Sequence, residues 1–105
     1  MAGACLVVRA TVADPADRAA FDAWYRDEHL PDAMKAFQAR SAWRGWSQTE
    51  PSMHRAYYRF DSLERLNEIV SGPAIAGLIA EFDRHWAGRV TRTREVVTVA
   101  DEIQA

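Results

Sequence analysis

Tyr25 and His29 lie four residues apart in the run Tyr25-Arg26-Asp27-Glu28-His29, which ends at Leu30-Pro31. At about 3.6 residues per helical turn, a phenol and an imidazole at this spacing can share one face of a helix. Together they suit proton transfer: the imidazole can take and return a proton near neutral pH, and the phenol can orient a carbonyl or enolate oxygen. Trp24, beside them, can line a cleft for an aromatic ligand. A helix starting at Pro31 favours the neutral ring of His29, whereas Asp27, Glu28 and Asp32 favour the imidazolium. The structural alternative has His29 capping a second helical segment, or bonding a backbone carbonyl at a kink, while Tyr25 packs with its hydroxyl satisfied at the core edge.

Twelve of the thirteen basic residues are Arg, and Lys35 is the exception. Arg9, Arg55 and Arg59, with Tyr57, fall on the odd faces of the first and third expected strands. If those faces close against a second subunit, these residues converge there and could bind a carboxylate ligand. Desolvated guanidinium groups need anionic partners, and the salt-bridged alternative names Glu95 first, then Glu50. His54 and His85 are isolated, with no spacing that joins them to His29 as a metal triad, so no metal is expected. Cys5, the single cysteine, reads as a small, inert core residue.

The elements that must position these residues follow from pattern. Leu6, Val8, Ala10 and Val12 give the first strand its core face. Asp14-Pro15 starts a helix that carries Phe21, Trp24 and Tyr25, and Leu30-Pro31 interrupts it before a short second segment with Met34 and Phe37. A strand within Arg40–Thr49 holds Trp43 and Trp46, both expected at an interface, and Glu50-Pro51-Ser52 turns the chain. Met53 to Phe60 is the partner strand, with His54, Ala56, Tyr58 and Phe60 on one face. Asp61 and Glu64 resemble a capping box for a helix bearing Leu63, Leu66, Ile69 and Val70. Pro73 opens a longer helix with Ile75, Leu78, Ile79, Phe82 and Trp86 on one stripe, Gly88 ends it in a left-handed cap, and Arg89 to Val99 is the last strand. The order β, broken α, β, β, broken α, β predicts an α+β, ferredoxin-like split βαβ domain over residues 1–105, with a four-stranded antiparallel sheet and helices on one face. Its other sheet face, too apolar to stay wet, predicts a homodimer through the sheets.

The stretch Phe21-Asp22-Ala23-Trp24-Tyr25-Arg26-Asp27-Glu28-His29-Leu30-Pro31-Asp32 resembles the first-helix signature of the dimeric α+β barrel superfamily, especially its EthD-like branch, which carries a Trp or Tyr, then Glu-His and Pro at this spacing. The resemblance implies two ferredoxin-like subunits whose sheets form a barrel, with a ligand cleft in each between sheet and helices. Superfamily members include cofactor-free oxygenases, isomerases, cyclases and dehydratases, haem-dependent enzymes, and proteins with no assigned activity, so the fold does not choose the chemistry.

Composition narrows the classes. The chain has 105 residues, 49% hydrophobic and 27% charged, which suits one globular domain. A net charge of −2 gives no field to draw it to nucleic acid or an anionic membrane. Arg55 to Phe60 imitates the aromatic strand of RNA-recognition modules, but the first strand has no aromatic to stack a base. The apolar run Ala4 to Val8 is too short for a signal sequence, and a cytoplasmic location is expected. The expected function is binding of a small molecule without a cofactor, with isomerisation, cyclisation or dehydration of an aromatic, lactone or polyketide-like metabolite as the catalytic version. The alternative is a non-catalytic ligand-binding or structural dimer.

Overall fold

The computed structural model describes residues 3–105. Strand β1 spans Ala4–Val12, and helix α1, Pro15–Trp24, follows it. The Asp14 carboxylate accepts from the Ala16 amide, and Pro15 occupies the first turn, where a missing N–H costs nothing. Where the sequence suggests a broken helix, the chain stays helical through a wide π turn, Tyr25–His29, into α2, Leu30–Phe37. The Leu30 amide donates to the Tyr25 carbonyl, five residues back. Pro31 explains the widening: it has no amide to give, and in an ordinary helix its ring would strike the carbonyl four residues earlier. Gln38, left-handed at φ 52°, ends α2.

Strands β2, Ser41–Trp46, and β3, Met53–Phe60, form a hairpin; helices α3, Leu63–Val70, and α4, Pro73–Trp86, precede β4, Val90–Thr98. The cap of α3 lies one residue beyond the expected Asp61: the Ser62 hydroxyl accepts from the Arg65 amide. Leu63 therefore starts the helix and is exposed rather than part of its buried stripe. Gly88 takes φ 82°, the left-handed conformation expected of it after α4.

The strands pair antiparallel in the order β2-β3-β1-β4, the ferredoxin-like arrangement. β1 sits centrally, with Leu6 opposite Tyr58 on one side and Val96 on the other. Alternation then sorts the side chains. Leu6, Ala10 and Val12 of β1 and His54, Ala56, Tyr58 and Phe60 of β3 are buried beneath the helices. Phe21 centres that core, its ring 5.2–6.1 Å from those of Trp24, Tyr25, Trp46, His54, Phe82 and Trp86.

Among the described residues no helix covers the opposite sheet face. Trp43, 57% exposed, stacks there on Tyr57 with centroids 4.0 Å apart. Arg9 pairs with Glu95, its expected partner, and Arg59 pairs with Glu102 at 2.8 Å. Trp46 departs from expectation: opposite His54 in the hairpin register, it packs under α1 against Phe21 and donates from its indole to Asp22 at 2.8 Å. Cys5 also departs, lying half-buried on the open face opposite Arg59 and Val97 rather than in the core; burial raises its thiol pKa.

Candidate functional site

The wide turn carries Tyr25 and His29 to the same side, over the helix-facing surface of β1, β3 and β4. Both line a cavity of about 40 Å³ with Leu6, Val8, Tyr58, Phe82, Arg92 and Arg94. A volume of that size holds about one water molecule. A ring-sized ligand therefore enters only if wall side chains move, and half-buried Leu78 and Ile79 of α4 are the apolar pieces free to do so.

His29 is held by rings rather than hydrogen bonds. Its imidazole stacks on Trp24 at 4.6 Å and meets the edges of Tyr25 and Phe82 at 4.9 and 5.8 Å. It makes no side-chain cap, its backbone is helical, and its buried Nδ1 has no hydrogen-bond partner among the described residues. The capping and carbonyl-bonding alternatives are thus set aside for this nitrogen. Burial, then the positive charge of Arg92, lowers the pKa of His29 to about 4, so the ring is neutral at physiological pH.

The Tyr25 hydroxyl does not sit at a wet edge. It lies 2.9 Å from the hydroxyl of Tyr58, fully buried, and burial raises its pKa to about 12. Tyr58 is raised further by burial and by its neighbour Tyr25. The Arg92 guanidinium carbon lies over the Phe82 ring, 4.1 Å from its centre. Its Nη1 is 3.3 Å from the Asp83 carboxylate but off the line of a hydrogen bond.

Behind the cavity a second polar group is fixed. Arg44 donates to Asp22 at 2.8 Å and approaches Nε2 of His54 at 3.3 Å. These hydrogen bonds from Arg44 and Trp46 lower the Asp22 pKa. His54 is 0% exposed, and burial followed by Arg44 lowers its pKa to about 4. Among the described residues no group of three His, Cys, Asp or Glu side chains is placed to hold a metal.

The sequence candidates therefore divide. His29 and Tyr25 come together at the cleft, whereas Trp24 packs in the core behind His29 and is not among the residues lining the cavity. Arg9, Arg55, Tyr57 and Arg59 lie on the other side of the sheet and meet none of them. Tyr58, Arg92 and Phe82 join the site without having been expected there. Tyr58 was legible as a core-face residue, and the even positions Val90, Arg92 and Arg94 share a face by strand alternation. What concealed Arg92 is that Thr91 and Thr93 are as polar as their neighbours, so β4 shows no apolar side.

No protein-family model matches the sequence, and no curated protein matches it. Solved structures do. An ethyl tert-butyl ether D (EthD) family protein from Bacillus halodurans superposes with a TM-score of 0.67 at 17% identity, over 89% of this chain and 96% of that one. SnoaB, a cofactor-independent oxygenase from Streptomyces nogalater, gives 0.66 at 9% identity over 100% of both chains. A protein of unknown function from Nitrosomonas europaea gives 0.66 at 20% identity over 100% of this chain and 96% of that one. At 20% identity or less, these likenesses show a shared fold, which is the ferredoxin-like arrangement that the resemblance read from residues 21–32 implies.

Proposed function

We propose that this chain forms a cytoplasmic homodimer of the α+β barrel type, and that its cleft binds an aromatic, lactone or polyketide-like metabolite on which His29 performs proton transfer without a cofactor. The observation that carries the reading is His29 itself: a neutral imidazole committed to no cap, on the wall of an apolar cleft beside two phenols. A neutral ring can accept a proton from a carbon next to a carbonyl, and the negative charge then developing on the oxygen offsets the cost of an imidazolium in an apolar site. Tyr25 would hold that oxygen. The cofactor-independent oxygenase SnoaB, of the same fold, is in keeping with chemistry done by side chains alone. The uncovered Trp43 and Tyr57 support dimerisation through the sheets.

A thermal-shift screen of aromatic acids, lactones and phenols, followed by deuterium uptake from heavy water into any ligand found, tests this. A ligand at a hundred times its dissociation constant stabilises by roughly 2.7 kcal/mol, which is easily read. His29→Ala should abolish deuterium uptake. Equal shifts and equal uptake in both proteins remove His29 from the chemistry.

A second reading has one observation in its favour. The imidazole packs against Trp24 at 4.6 Å like an ordinary core ring, which suits a non-catalytic binding dimer. In that case His29→Ala lowers stability and leaves no exchange to lose.

A further inference from the structure

Tyr25, from the wide turn, and Tyr58, from β3, meet hydroxyl to hydroxyl at 2.9 Å on the cavity wall. Only one proton can lie between the two oxygens. Whichever hydroxyl donates, the other keeps its own proton, and neither has a further hydrogen-bond partner among the described residues. The pair therefore holds one donor with no acceptor, in a place where polar groups are almost always satisfied. Leu6, Val8 and Phe82 offer it nothing. Arg92, over the Phe82 ring in the same wall, adds a positive charge whose contact with Asp83 is poorly aligned.

We propose that the Tyr25–Tyr58 pair is a binding site for a single oxygen, and that its ligand is a phenol or an enolisable ketone bound as phenolate or enolate, with Arg92 supplying the compensating charge. This rests on the small-molecule reading of the cleft and adds the chemistry of the ligand's oxygen. The pair itself offers one donor, which suits one oxygen; a carboxylate would need its second oxygen met by Arg92 or Arg94 of the same wall, and it is the competing ligand in the test. Binding of the ionised form releases one proton from the neutral ligand to solvent.

The probe is 4-nitrophenol, whose ionised form is yellow, added at a pH where most of it is neutral in solution. The wild-type protein should turn it yellow on binding. Tyr25→Phe and Tyr58→Phe should each weaken binding several-fold, and the double variant by about tenfold to a hundredfold, the range for hydrogen bonds to charged groups. If the double variant does not fold, the single variants decide: loss in both supports the site, and no loss in either overturns it. Failure of the wild type to bind 4-nitrophenol in ionised form overturns it, as does preferential binding of 4-nitrobenzoate that both Phe substitutions leave unchanged. Ionised 4-nitrophenol bound by the wild type, with no deuterium uptake into any ligand, would leave this site standing and remove only the proton-transfer reading, so the two failures are separate results.

Discussion

His29 and His54 flank a single ring, that of Tyr25, with centroids 4.9 and 4.5 Å from it. One histidine comes from the helix and the other from β3, and both are neutral because the core around Tyr25 excludes water.

Acid should therefore unfold this protein early. Burial holds each imidazole at a pKa of about 4 in the folded protein, against an ordinary value of 6.5. Between those values the unfolded chain binds more protons, so stability is full above pH 6.5 and falls as pH drops toward 4. At 1.36 kcal/mol per unit, the loss approaches about 3 kcal/mol for each histidine, a large part of a small domain's total. Urea midpoints measured across this range should fall steeply. His54→Gln, which cannot take the charge, should flatten the curve; a wild-type profile already flat from pH 7 to 4 would contradict the burial argument.

Asp22 should matter more than its half-exposed position suggests. It accepts from both Arg44 and the Trp46 indole. Arg44, 15% exposed, would lose its carboxylate in Asp22→Ala while still facing Tyr25 and His54. About 2 kcal/mol of destabilisation is expected, below the 3–5 kcal/mol of a fully buried pair because Asp22 itself is partly wet. Asp22→Asn, which can still accept both hydrogen bonds, should lose about half as much. Chemical denaturation of the three proteins checks the order.

The two tryptophans of β2 should behave oppositely. Trp43→Asp should leave the fold intact and shift sedimentation or light scattering from dimer to monomer, because Trp43 lies on the uncovered face. Trp46→Asp should instead destabilise the fold, placing a carboxylate beside Phe21 and near Asp22. A wild-type protein that is monomeric at micromolar concentration would remove the dimer.

These two residues also show how far the sequence can be read. Element order and the alternation of β3 were legible because each buried face carries apolar or aromatic side chains at regular spacing. The assignment of both Trp43 and Trp46 to one interface failed on geometry: three apart on a strand of period two, they must face opposite ways. Cys5 was misjudged because its flanks on both faces are apolar. The meeting of Tyr25 with Tyr58 depends on cross-chain packing that no local pattern reports, and Arg92 was concealed by threonines on either side. The helix break was expected from Pro31, but a proline permits several outcomes, and only packing selects the wide turn.

That turn solves a problem of phase. Phe21, Tyr25, His29, Ala33 and Phe37 recur every four residues, and all five are buried. In a regular helix a step of four overshoots one revolution by about 40°, so over the whole run the row would wind roughly halfway round the cylinder, leaving one end in water. Placing more residues in the revolution between Tyr25 and His29 cancels much of that drift and keeps the row over the sheet. Ordinary winding with all of Arg26-Asp27-Glu28 retained would turn α2 by about 100° against α1. Either Phe21 or the pair Ala33 and Phe37 would then leave the core, and the cleft would lose its wall although every residue lining it was still present.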